Sequence, residues 1–252
     1  DSNDLNGYSR DKLTHTLSVN STLALDSYST ASGTHILVVQ LAEQDLEEIK
    51  LIGDDGDDSG LLATSISNTF LAMNASTLRD TDDNQLVEIS ASDAREASRY
   101  SADETKPTLR SVAFDMDELE LTFVFDEPVS ARNAPVSHIT LQGNATRIDG
   151  EYHTLSAASG SAVTSISGTR QTVSLGKADA DAVKLLLGVA SNVRDSWVSI
   201  DAETWLDRSS RQNPAQQVLS TAAVRAVTYA ADITQPNLVS FALDLESDTL
   251  DL

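Results

Sequence analysis

The chain holds 252 residues, 40% of them hydrophobic, which is enough for one large or two ordinary domains with a true core and too apolar for a disordered chain. Thirty-nine acidic residues against 17 basic ones give a net charge of −22, a surface that repels nucleic acid and anionic lipid. With no cysteine, disulfides, thiolate catalysis and zinc–thiolate sites are excluded, and no apolar run reaches the roughly 18–20 residues of a membrane-spanning helix.

In chain order, HILVVQL (35–41) is the first segment with the alternation of a half-buried strand. DLEEIKLI (45–52) differs, because its apolar residues stand three and four apart as on a helix, with Asp45 suited to the helix N-terminus. An acidic, glycine-spaced stretch, Asp54–Gly60, follows. TFLAM (69–73) reads as a strand, and Asp80, Asp82, Asp83 and Asn84 form a second polar cluster. LRSVAFDMD (109–117) and ELELTFVF (118–125) alternate apolar and polar residues, as do SWVSI (196–200) and VRAVTY (224–229). Between them DADAVKLLL (179–187) repeats the helical spacing behind Asp179. The chain reads as all-β, with one short helical insertion in each half.

The two halves repeat at a spacing of about 124–135 residues. VQLAEQDLEEIKL (39–51) matches VSLGKADADAVKL (173–185), TFLAM matches SWVSI, and DETKPTL (103–109) matches DITQPNL (232–238). Near the start, Thr16-Leu17, Asn20, Thr22 and Tyr28 are set against Thr140-Leu141, Asn144, Thr146 and Tyr152. The expected division is a first repeat over 1–102 that lacks its opening strands, a second over 103–231, and the opening strands of a third over 232–252. In this register 35 residues lead from Asp103 to His138. The 21 residues 232–252 and the 14 residues 1–14 together also make 35, leading to His15. The expectation is that residues 238–252 of one copy complete the first repeat of the next, with Leu238, Phe241, Leu243, Leu245 and Leu250 as the assembly face; the alternative is a window on one longer chain, whose preceding sequence supplies the missing strands.

The segment DETKPTLRSVAFDMDELELTFVFDEPV (103–129) resembles the bacterial-type Ig-like repeat, D-x-T-x-P-x-L followed by L-x-L-T-F-x-E-P-V. The K-A-D-x-D-A-V-K-L segment and the SWVSI strand resemble its longer form. That form occurs in large secreted proteins of microalgae and water moulds, including cell-wall and flagellar-hair (mastigoneme) proteins. The resemblance implies tandem Ig-like β-sandwiches, an extracellular surface or appendage location, a structural filament role and no catalytic residues. An adhesin or glycan-binding module is the alternative.

Other candidate sites are few. Asn20, Asn74 and Asn144 open Asn-x-Ser/Thr sequons and are candidate N-glycan acceptors. Asp54, Asp55, Asp57 and Asp58 offer oxygen ligands of the kind Ca2+ takes, without EF-hand spacing, so a solvated acidic loop is the plainer reading. Phe70, Trp197 and Trp205 are candidates for a glycan-stacking platform. The strand positions of Phe70 and Trp197 favour core packing instead, as equivalent buried residues. His15, His35, His138 and His153 lack metal-ligand spacing. GDDSG (56–60) lacks the second glycine of a serine-protease nucleophile loop, and no G-x-S-x-G elbow is present, so the chain reads as non-enzymatic.

Overall fold

The computed structural model describes residues 14–23, 28–29, 35–52, 62–147 and 151–251. The fold is all-β. The first half carries β1 (Thr22–Leu23), β2 (Tyr28–Ser29), β3 (His35–Ile36), β4 (Val39–Gln40), helix α1 (Glu43–Leu51), β5 (Phe70–Leu71) and β6 (Arg95–Glu96). These strands form only two-stranded pairs: β1 with β4, β2 with β3, and β5 with β6.

The second half is a two-layer sandwich. It contains β7 (Leu109–Asp115), β8 (Glu120–Val129), β9 (Ile139–Gln142), β10 (Tyr152–Thr154), β11 (Ala162–Val163), β12 (Gly168–Ser174), α2 (Lys177–Leu185), β13 (Trp197–Ile200), β14 (Val224–Arg225) and β15 (Thr228–Ala230). One sheet runs β10-β9-β13-β14 and the other β11-β12-β8-β7-β15. All pairs are antiparallel except β15, which lies parallel to β7. The expected VRAVTY strand is split because its two ends serve different sheets. Ala226 N–H donates to Ser196 on one side, and Val227 N–H to Val112 on the other. HILVVQL is likewise two short strands, β3 and β4.

Alternation places Val112, Phe114 and Met116 against Leu121, Phe123 and Phe125 on one inner face, and Ile139, Leu141, Val198 and Ile200 on the other. A register shift between Leu109 and Ser111 absorbs one extra residue, so Leu109 and Val112 both turn inward. Trp205 sits at the centre, 5.1 Å from the Phe123 ring and 5.2 Å from Phe125. Among the described residues, every member of the buried hydrophobic core lies between Leu109 and Ala226.

The halves share hydrogen bonds residue for residue. Met73 and Ile89 exchange both backbone bonds, as do Ile200 and Val218. The Asn68 side chain accepts from Thr64 and Ser65 N–H, and the Asp195 side chain from Ser191 and Asn192 N–H. Ala63 and Ala190, one residue before each of these turns, both take positive φ. The N-terminal register differs from the expected one, however. Thr22 and Leu23 pair with Gln40 and Val39, as Ala162 and Val163 pair with Ser174 and Val173. The identical strings His15-Thr16-Leu17-Ser18 and His153-Thr154-Leu155-Ser156 therefore correspond. Asn20 and Asn144 do not, and the match of 35 residues disappears, since 50 residues (103–152) precede His153. Among the described residues the first half shows no counterpart of β7 or β8.

A hairpin built like β7–β8 follows the second half. β16 (Ala242–Asp244) and β17 (Thr249–Asp251) form a hairpin with Leu243 opposite Leu250, as Phe114 is opposite Leu121 in β7–β8. Both turns are built alike. Asp244 Oδ1 accepts from Glu246 and Ser247 N–H, Asp115 Oδ1 from Asp117 and Glu118 N–H, and Asp248 and Leu119 both take positive φ.

Candidate functional site

The most elaborate polar arrangement occurs twice, once at the start of each helix. α1 begins at Glu43 and α2 at Lys177, two residues ahead of Asp45 and Asp179. The aspartates therefore do not start the helices, as the sequence had suggested. They lie in the first turn and point into the fold, both nearly fully buried. Asp179 Oδ2 accepts from Ser161 Oγ at 2.6 Å and Ser156 N–H at 2.8 Å, and Oδ1 lies 2.8 Å from His153 Nε2. Asp45 repeats the set with Ser21 Oγ at 2.5 Å, Ser18 N–H at 2.9 Å and His15 Nε2 at 2.9 Å. Each serine Oγ in turn accepts the backbone N–H of the residue before its helix, Ala42 or Gly176, at 2.8 Å. Gly176 cannot be Ala as in the first half. Ser156 and Ser161 are two residues further apart than Ser18 and Ser21, and the longer loop brings Ser159 O within 1.9 Å of where a Cβ would lie.

Burial raises the Asp179 carboxyl, but the donors Ser161, Ser156 and His153 outweigh it and hold it below the usual carboxylate range. Asp45 is held far lower, chiefly by the Ser21 hydroxyl. The set contains Ser, His and Asp, yet not in the order of a nucleophile relay. The carboxylate stands between the other two, so the histidine takes no proton from the serine. What the arrangement does is fasten the helix start to the loop carrying the His-Thr-Leu-Ser string.

The second cluster joins the two halves. Lys50, near the end of α1, puts its ammonium 2.6 Å from Asp103 Oδ2 and 2.5 Å from Glu127 Oε2 on β8. Asp207 completes a group of three carboxylates whose ligand atoms lie within 4.8 Å of one another, the kind of donor set a cation takes. Here Lys50 supplies the positive charge. Burial lowers the Lys50 pKa, but its two carboxylate partners more than reverse this and raise it. Asp103 is held low, mainly by Lys50 acting against burial, whereas burial pushes Glu127 up and leaves its Oε1 without a partner. The counterpart Lys184 binds Asp232 at 2.6 Å. Asp103 and Asp232 also cap the same turn, accepting from Thr105 and Thr234 N–H. The sequence reading missed both clusters, although the conserved spacing of Lys50 behind Asp45 and Lys184 behind Asp179 is their signal.

The remaining candidates separate. Asp54, Asp55, Asp57 and Asp58 lie outside the described residues. Asp80 is a turn residue that accepts from Asp82 and Asn84 N–H and from Asn84 Nδ2, as Asp207 accepts from Ser209, Asn213 N–H and Asn213 Nδ2. Phe70 and Trp197 do occupy corresponding positions, opposite Glu96 and Arg225, but they are not core residues. Val198 and Ile200 face the other sheet, so period two turns Trp197 outward. There its Nε1 donates to Arg194 O and the Arg225 guanidinium lies 5.8 Å from the ring. Phe70 is 54% exposed, and Trp205 is the buried tryptophan. Asn20, Asn74 and Asn144 are all exposed. Leu238, Phe241, Leu243, Leu245 and Leu250 are exposed as well.

No known protein family, curated protein or solved structure matches this chain. Among the described residues no helix is long and apolar enough to cross a membrane.

Proposed function

We propose that the chain is a structural stretch of an extracellular surface filament or appendage, of the flagellar-hair kind, built from Ig-like sandwiches stacked head to tail. The observation that carries this reading is the junction. α1 of the first half packs on β8 of the second and clamps Asp103 and Glu127 through Lys50. At the end of the second half, α2 opens the same contact again through Lys184 and Asp232. A junction that begins again in the same way is the device of serial stacking, in which each unit contacts its neighbours and load passes along the row. The residue resemblance of 103–129 to secreted surface repeats gives the row its place outside the cell. The exposed Asn20, Asn74 and Asn144 are its N-glycan acceptors.

Immunogold labelling with antibody raised to this chain tests the location and role together. Label distributed along hair-like surface appendages is the expected result, with glycopeptides containing Asn20, Asn74 or Asn144 in material stripped from the cells. Label confined to the cytosol overturns the reading.

A further inference from the structure

Trp197, turned out of the core, belongs to a line of side chains across the outer face of the β10-β9-β13-β14 sheet. Tyr152 stands opposite Gln142, Gln142 opposite Trp197, and Trp197 opposite Arg225. The Arg147 guanidinium lies 4.4 Å from the centre of the Tyr152 ring, and the Arg225 guanidinium 5.8 Å from that of Trp197. Neither arginine makes an ion pair among the described residues, in a chain with 39 acidic residues. The neighbouring acids are committed elsewhere: Glu151 Oε2 accepts from Gly188 N–H, and Asp195 Oδ1 from Ser191 and Asn192 N–H. Hydrogen bonds hold the two arginines in place. Gln142 Nε2 donates to Asn144 O and Ser220 O, Arg147 N–H to Ser220 O, and Ala223 N–H to Ala145 O. The loop carrying Arg147 is thus tied to the segment that leads into Arg225. The sandwich itself does not require these pairs, since the first half has Thr14 in the place of Tyr152 and Glu96 in the place of Arg225.

We propose that this face binds a uronate-bearing polysaccharide, Arg147 and Arg225 taking its carboxylates and the Tyr152 and Trp197 rings its pyranose faces. A guanidinium laid on a ring keeps the N–H fork in its own plane free for a planar carboxylate, while the ring replaces water on one side. Tyr152 remains 51% exposed beside that fork. Arg194, whose carbonyl accepts from Trp197 Nε1, adds a third guanidinium without an ion pair, so this face has the opposite sign to a chain of net charge −22. Each sugar of a uronate chain carries the two matching features, a C–H face and a carboxylate beside it. Tyr152 and Trp197 stand two strands apart, about 10 Å, a span that two linked pyranose rings cover. A line of four side chains with Arg147 falls far short of the roughly 20–30 residues that a stable protein interface uses on each side, which favours a linear glycan over a protein partner. The site goes beyond the stacking proposed above and does not depend on it.

Calorimetric titration of the full chain at low ionic strength with polygalacturonate, neutral dextran and polyglutamate tests the site. The expected result is binding of polygalacturonate alone. Arg147→Gln combined with Arg225→Gln should weaken it roughly tenfold or more while thermal unfolding stays as in the wild type. Trp197→Ala should weaken it as well. Arg132→Gln combined with Arg170→Gln removes the same charge from exposed positions off this face and should bind as the wild type does. If the two double variants lose binding equally, the attraction is charge alone and the site is wrong. If polyglutamate binds as polygalacturonate does, the face takes an acidic protein and the glycan assignment is overturned. If no polymer binds, or Trp197→Ala binds unchanged, the assignment falls.

Discussion

At the residue scale the most consequential group is the buried aspartate at each helix start. Asp179 receives Ser161 Oγ, Ser156 N–H and the His153 ring, so Asp179→Asn turns an acceptor-only side chain into one that faces these donors with an NH2. The expected loss is about 1–3 kcal/mol by urea unfolding at neutral pH. Because the native pKa lies below the ordinary 3.8, the carboxylate adds stability that is complete above that value. It is lost as pH falls through the lower native pKa. The gap between wild type and Asp179→Asn should therefore be constant at neutral pH and shrink below about pH 3.8. The tryptophans make a second residue-scale contrast. Trp205→Ala should cost about 3–5 kcal/mol, since it empties the space beside Phe123 and Phe125. Trp197→Ala removes a half-exposed ring on the outer face and should cost less than about 1.5 kcal/mol in the same measurement.

At the scale of elements, the lysine at the end of each helix distinguishes a closed junction from an open one. Lys50→Ala leaves Asp103 and Glu127 facing each other beside Asp207. The loss expected in urea unfolding is of the order of 2–3 kcal/mol, below the 3–5 of a fully buried pair because Asp103 is partly exposed. Lys184→Ala breaks a pair that is 40% and 31% exposed, and the expected loss is under about 1 kcal/mol. The strand pattern, the two helices and the order of the repeat were legible in the sequence, because burial on one face leaves a period-two or helical signature. The helix starts were misplaced by two residues, since an aspartate in the first turn that accepts buried hydrogen bonds looks in one dimension like the residue that opens the helix. The N-terminal register was misread because Thr140-Leu141-x-x-Asn144-x-Thr146 is a longer match to 16–22 than His-Thr-Leu-Ser is to itself. The hydrogen bonds to Asp45 and Asp179 decide in favour of the shorter string. Trp197 was misassigned for another reason: its matching place on an apolar strand argued for the core, but Val198 and Ile200 take the inward face and period two turns Trp197 out.

At the scale of the whole molecule, stability is unevenly distributed. The buried core lies between Leu109 and Ala226, while the first half and the hairpin present apolar side chains to solvent. Opening free energy follows buried contacts, so amides of β7–β9, β12 and β13 should exchange slowest, and those of β4, β5 and the hairpin should exchange fast in dilute solution. The central claim is that the halves stack in series, with α1 of the first clamped onto the second through Lys50, Asp103 and Glu127. Hydrogen–deuterium exchange of the wild type and of Lys50→Ala tests it most directly. The account predicts that α1 and residues 103–107 lose protection together in Lys50→Ala, while β9 and β13 hardly change. Protection of α1 that is the same in both proteins would contradict it.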